Sequence, residues 1–97
     1  MKQITVIYNF PGATINQYDN IMKDLDSIDA LSNSGLIYHT CGITSKGLAV
    51  VDVWESEEAL SKFGETLFPI IKKHGVEAVQ PEIIPVHNMV SFLIANS

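Results

Sequence analysis

The residues that could move a proton, attack a carbon or hold a metal are few in this chain. They are three histidines, one cysteine and a set of acids. His39 and Cys41 alternate along the apolar run Leu36 to Gly42, and Asp52 sits inside the next such run, Leu48 to Glu55. Side chains two apart on a strand leave the same face, so His39 and Cys41 share one. Only the polar segment Thr44-Ser45-Lys46-Gly47 separates the two runs, which reads as a hairpin. With Ser45-Lys46 at its tip, His39 lies across from Asp52, Cys41 from Val50 and Ile37 from Trp54. With Lys46-Gly47 at the tip, His39 faces Trp54 and Asp52 faces Cys41. In the first register the imidazole and the carboxylate are cross-strand neighbours, about 4.5–5.5 Å apart at Cβ. A carboxylate that near favours imidazolium, and such a pair suits general acid–base work near neutral pH. The competing reading is a histidine hydrogen-bonded at an interface with no chemistry.

The other candidates are weaker. His87 ends the segment Pro85-Val86-His87 and could face the same space as His39, or simply bond backbone at a strand end. His74 follows Lys72 and Lys73 and precedes Gly75, where the helix dipole favours a cation. A metal set would need His39, Cys41, His87 and Asp52 together, but nothing in their spacing demands a closed tetrahedral site, and no metal is expected. Cys41 as a nucleophile would need an exposed, low-pKa thiolate, whereas a mid-strand cysteine is usually a small buried hydrophobe. Pro11-Gly12 is not a phosphate loop, because the longer Gly-x-x-x-x-Gly-Lys pattern is absent.

The elements that would position these residues follow from periodicity. Ile4, Val6, Tyr8 and Phe10 alternate with Gln3, Thr5, Ile7 and Asn9, a strand stopped by Pro11-Gly12. Thr14 and Gln17 form a capping-box pattern before the helical stripe Tyr18, Ile21, Met22, Leu25 and Ile28. After the hairpin, Ser56 caps a second helix, with Glu57 and Glu58 in its first turn and the stripe Leu60, Phe63, Leu67 and Ile70 or Ile71. Pro69 predicts a break or bend near Phe68. Glu82 to His87 is a last strand, and Pro81 and Pro85 place it at a sheet edge. Met89 to Ala95 is an apolar tail.

The order is β-α-β-β-α-β: an α+β, ferredoxin-like chain, one domain over residues 1–97, whose antiparallel sheet carries both helices on one face. The more apolar set, Ile4, Val6, Tyr8, Phe10, Leu36, Tyr38, Ala49, Val51 and Val53, is expected to face the helices. Thr5, Ile7, Asn9, Ile37, His39, Cys41, Val50, Asp52 and Trp54 are expected on the opposite face. That face is too apolar to stay in water, so a second copy of the chain should cover it, with the tail of residues 89–97 at the interface.

Composition excludes several function classes. Six basic residues, none of them Arg, stand against eleven acidic ones, giving a net charge of −5. That is a poor basis for binding a phosphate backbone, so no nucleic-acid partner is expected. At 46% hydrophobic and 18% charged the chain is too apolar for disorder. No run reaches the ~18 apolar residues of a membrane span, and the start lacks a secretory core. A lone cysteine suits a reducing compartment, so the expected location is cytoplasmic.

Gly35-Leu36-Ile37-Tyr38-His39, Val51-Asp52-Val53-Trp54-Glu55-Ser56 with Glu58-Ala59, Phe63, Pro69 and Pro85-Val86-His87-Asn88 carry a further signal. Over about residues 6–88 the chain resembles the dimeric α/β-barrel superfamily, near its antibiotic-biosynthesis-monooxygenase-like group. The resemblance implies a homodimer whose two sheets meet face to face. The superfamily includes cofactor-free monooxygenases, haem-degrading enzymes, isomerases and proteins with no known reaction, so fold analogy alone names none of them. Haem-degrading relatives use an Asn on the first strand, a Trp on the third and a His on the following helix. Asn9 and Trp54 match, but Phe63 and Gly64 occupy the middle of that helix, so no haem and no other cofactor is expected.

Two functions remain. One is a cofactor-free monooxygenase-like or isomerase-like enzyme on a small hydrophobic or aromatic compound, with His39 and Asp52 as the catalytic pair and Tyr8, Asn9, Trp54 and His87 binding substrate. The other is a non-catalytic small-molecule-binding or stress-related dimeric barrel. A pocket of ~300 Å³ or more with convergent polar groups favours the first, and a narrow closed cavity the second.

Overall fold

The computed structural model describes residues 2–92. Its elements run β1 (Ile4–Pro11), α1 (Ile15–Ser27), β2 (Leu36–Thr44), β3 (Gly47–Trp54), α2 (Glu57–Lys73) and β4 (Glu82–Pro85). The sheet order is β2-β3-β1-β4, and each neighbouring pair is antiparallel. This is the expected ferredoxin-like α+β arrangement.

Local signals start each helix. Thr14 Oγ1 accepts from the Gln17 amide at 3.1 Å and Gln17 Oε1 accepts from the Thr14 amide at 3.0 Å, a complete capping box. Ser56 Oγ accepts from the Ala59 amide at 3.1 Å and caps α2. Helix α2 is unbroken across Pro69, contrary to the expected break. Pro69 and Glu65, whose carbonyl loses its helical partner, are both exposed, so water can take the freed carbonyl.

The hairpin turns at Ser45-Lys46, with Thr44 opposite Gly47. Thr44 Oγ1 accepts from the amides of Lys46 and Gly47 at 3.2 and 3.1 Å. Gly47 has φ +154°, and a side chain there would press on the Phe10 carbonyl and come within 2.7 Å of the Gly12 nitrogen. The turn is thereby packed against the end of β1. The register that follows sets His39 across from Asp52 and Cys41 across from Val50. A bulge between Leu36 and Tyr38 makes Leu36, not Ile37, the partner of Trp54.

The face of β3, and that of β2 from Tyr38 onward, is the reverse of the sequence expectation, while Leu36 faces the helices as expected. Leu48, Val50, Asp52 and Trp54 are buried with Ile4, Val6 and Tyr8 beneath the helices, whereas Val51 and Tyr38 are 39% and 42% exposed on the far side. His39 and Cys41 therefore point into the helix layer, not away from it. Two things misled the pattern. The more apolar set Ala49, Val51 and Val53 is expected against the helices and Asp52 away from them, yet Asp52 sits beside Val6 and His39 in the register. The bulge lets Leu36 and His39, three apart, share a face.

One core joins Ile4, Val6, Tyr8, Val50 and Trp54 under α2, where the Trp54 and Phe63 rings sit 5.1 Å apart at 45°. A second joins Ile21 and Leu25 of α1 to Ile71 of α2. Strand β4 lies at the edge, as its prolines indicate, but ends at Pro85. Met89 and Val90 are exposed, and the part of the expected tail within 93–95 lies outside the described residues.

The helices are also clasped at their ends. Asp24 Oδ2 accepts from His74 Nε2 at 2.7 Å and from Lys73 Nζ at 3.0 Å, and Gln17 Nε2 donates to the His74 carbonyl at 3.1 Å. The hydrogen bond from His74, then that from Lys73, holds the Asp24 carboxyl below its ordinary value. A carboxyl lowered in the folded state stabilises above its unfolded pKa and ceases to as pH falls through the folded one. Asp24→Asn should therefore lower the urea midpoint at neutral pH, with the gap closing as pH falls below the carboxylate range. A gap that stays constant with pH would show the clasp carries no charge-linked stability.

Candidate functional site

A hydrogen-bonded line of side chains runs from α1 through the sheet. Tyr18 Oη lies 2.6 Å from His39 Nε2. His39 Nδ1 lies 2.6 Å from Asp52 Oδ1. Trp54 Nε1 donates to Asp52 Oδ2 at 3.2 Å. A carboxylate only accepts, so the proton on this side of the ring belongs to His39 Nδ1. Nε2 then accepts from the Tyr18 hydroxyl when the ring is neutral and donates to it when the ring is charged. The two rings are parallel within 1° with centroids 5.9 Å apart, which suits a hydrogen bond in the imidazole plane.

Burial decides what each group can do. The Asp52 side chain is 8% exposed and His39 is 24% exposed, so the carboxylate is withdrawn while the imidazole keeps contact with solvent. Burial first, then the charges of Cys41, Asp52 and Asp19, pushes the Tyr18 phenol above its ordinary value. Burial first, then the Asp52 charge, does the same to Tyr8. Both phenols are hydrogen-bond donors at neutral pH. Burial, with Asp19 behind it, also raises the Cys41 thiol, the wrong direction for a nucleophilic thiolate.

The line forms one wall of a cavity of about 130 Å³ between the sheet and the helices. Tyr8, Val50 and Trp54 of the sheet face Tyr18, Ile21, Leu25, Phe63 and Ile71 of the helices across it. The polar groups on its lining come from Tyr8, Tyr18, His39, Asp52 and Trp54, and neither Lys nor Arg is among them.

The structure thus brings together His39, Asp52, Tyr8 and Trp54. It does not bring Asn9 or His87. Asn9 is exposed and pairs with Ala49 on the other face. His87 is exposed in a bend after β4, at the far edge of the sheet from β2. Among the described residues no three His, Cys, Asp or Glu side chains converge as a metal set, and His39, Cys41 and His87 are not one group. Tyr18 was missed because it stands in the apolar stripe of α1. The available signal was its hydroxyl, the polar tip within that stripe and one turn before Ile21 and Met22.

No protein-family model and no curated protein matches the chain. Among the solved structures similar to it in fold are two small proteins. A conserved protein from Methanosarcina mazei Go1 superimposes with a TM-score of 0.52 at 16% identity, over 92% of this chain and 95% of that one. A NIPSNAP-family protein of unknown function from Agrobacterium tumefaciens strain C58 gives 0.50 at 15% identity, over 89% and 87%. The likeness extends over nearly the whole of each chain and is one of fold. Among the described residues no helix is long and apolar enough to cross a membrane.

Asp52→Asn tests the line directly. An amide can accept from Trp54 while presenting N–H to His39, which moves the neutral ring's proton to Nε2 and obliges Tyr18 to accept. We expect a loss of about 1–2 kcal/mol in unfolding free energy and nitrogen-15 shifts reporting the Nε2–H tautomer. Unchanged His39 nitrogen shifts would show that Asp52 does not set the proton's position.

Proposed function

We propose that this chain is a small-molecule enzyme that moves a proton on a compact apolar substrate held between the sheet and the helices, with His39 as the acid–base group. The supporting observation is the Tyr18–His39–Asp52 line on the wall of an otherwise apolar cavity. Asp52 orients the ring and stabilises the imidazolium that forms. Because Tyr18 engages Nε2, a substrate proton reaches His39 through the Tyr18 hydroxyl or after that bond opens. Cofactor-free oxygenation and isomerisation both begin with such a proton removal. The reading therefore agrees with the resemblance to the antibiotic-biosynthesis-monooxygenase-like group without choosing between the two reactions. Trp54 and Tyr8 shape the cavity in this reading, and Asn9 and His87 drop out of it.

The cavity volume limits the substrate. About 130 Å³ is close to the ~150 Å³ apolar cavities that admit benzene, and below the ~300 Å³ that would favour the enzyme over the binding protein. One ring or its aliphatic equivalent fits. The same narrowness supports a second reading, a binding protein without turnover. The two part on one measurement: hydrogen–deuterium exchange, or oxygen uptake, with single-ring carbon and oxygen acids. His39→Gln should slow either by about 10²–10⁴-fold. Equal rates in the two proteins would leave binding alone.

We further propose that the chain is one domain that works as a homodimer through the face away from the helices. Tyr38, Val51 and Ile84 are 42%, 39% and 40% exposed there, and the helices cannot cover that side. Packing two such faces buries them and gives the barrel the resemblance implies. Light scattering should give twice the chain mass at micromolar concentration, and Val51→Glu should give the monomer. A wild-type monomer would overturn the assembly.

A further inference from the structure

The Tyr8 hydroxyl lines the cavity but takes no part in the Tyr18–His39–Asp52–Trp54 line. Tyr8 is 6% exposed, and its ring stacks on Phe10 with centroids 5.4 Å apart at 11°. The hydroxyl forms no hydrogen bond with any described residue, although Asp52 is close enough for its charge to act on the phenol. Among the described residues no fully enclosed side-chain oxygen or nitrogen lacks a partner. The unbonded Tyr8 oxygen is therefore not fully enclosed, and Tyr8 is one of the residues that line the cavity. A withdrawn hydroxyl without a partner is costly unless something supplies one.

The surroundings define that partner. Burial keeps the phenol protonated, so it donates, and its partner must accept. The Phe10, Leu48 and Val50 side chains around it offer no acceptor. The lining carries the Asp52 carboxylate and no Lys or Arg, so an anionic ligand would meet repulsion without a compensating cation. A neutral acceptor on a compact apolar body remains, and a carbonyl oxygen has the lone pairs to receive the phenol.

We propose that Tyr8 anchors the ligand of this cavity through its hydroxyl, and that the ligand is a neutral carbonyl compound about the size of one six-membered ring. The inference rests on the cavity being a ligand site, and it adds the functional group that site selects. It also gives Tyr8 a role separate from His39: Tyr8 holds the carbonyl oxygen, and the His39 line handles protons. Polarising a carbonyl acidifies the carbon beside it, so the two roles are chemically compatible.

A matched pair of probes tests this. Cyclohexanone and methylenecyclohexane have nearly the same shape, but only the ketone accepts a hydrogen bond. Trp54, the single tryptophan, lines the cavity and reports binding by its fluorescence. Tyr8→Phe, which keeps the stacked ring and is checked for folding by thermal melting, should weaken ketone binding about tenfold and leave alkene binding unchanged. The infrared carbonyl stretch of the bound ketone should fall to lower wavenumber in the wild type and lose that shift in Tyr8→Phe. A ketone-to-alkene affinity ratio that Tyr8→Phe leaves unchanged, or a carbonyl shift that survives it, would overturn the anchoring role while leaving the cavity a ligand site. Binding of neither probe would overturn the ligand site, and the anchoring role with it.

Discussion

Asp52 is a carboxylate on a central strand, withdrawn from water beneath two helices, and the rest of the site is arranged around its need for partners. Burying an unpaired charge costs several kcal/mol, so such a group persists only where hydrogen bonds compensate it. Here both oxygens are used. One receives the His39 ring across the strand pair, and the other receives the Trp54 indole two residues along the same strand. Each partner then constrains something larger. His39 meets Asp52 only if the hairpin turns at Ser45-Lys46. Trp54 lies on the same face as Asp52 only because strand side chains alternate. Tyr18 closes the line from above and ties α1 to the edge strand β2.

Much of this was legible in the sequence. The Thr14–Gln17 box, the Ser56 cap and the edge position of the proline-bearing strand are local chemistry, and local chemistry is readable from short windows. The His39–Asp52 pairing was legible only as one of two registers, and the turn at Ser45-Lys46 selects it. What could not be read was which face the pair occupies. Hydropathy placed Val51 and Val53 inside and Asp52 outside, and it failed because two hydrogen bonds make Asp52 an interior residue. The Ile37 bulge added a second fault, since it shifts parity within β2 without any glycine or proline to announce it. Pro69 misled in the opposite sense: its local rule is sound, but a solvent-facing position lets water replace the lost bond.

The correction changes the meaning of the site. With His39 on the outer face, the pair would have belonged to a dimer interface, where a structural role is the simpler account. Pointing into the helix layer, it borders a void within a single chain. The outer face is then left with the apolar Val51 and Ile84, the Tyr38 phenol and, at its β4 edge, Glu82. The proposed assembly and the proposed chemistry would thereby be divided between the two faces of one sheet.

That division also limits the reaction. The cavity lining holds phenols, an imidazole, an indole and a carboxylate, and no fixed cation. Charge developing on a substrate oxygen can be met there only by hydrogen bonds and by protons in transit, because no Lys or Arg side chain reaches it. Dispersed charge is tolerated in such a place better than a full anion, and hydrogen-bond donors aimed at a single oxygen are worth more there than in water. A phenol held protonated by burial is a donor of that kind. Under the proposed function, the site would suit small, neutral, oxygen-bearing molecules whose charge stays low throughout the reaction. A phosphorylated or carboxylated ligand would find no Lys or Arg on the lining to pair with.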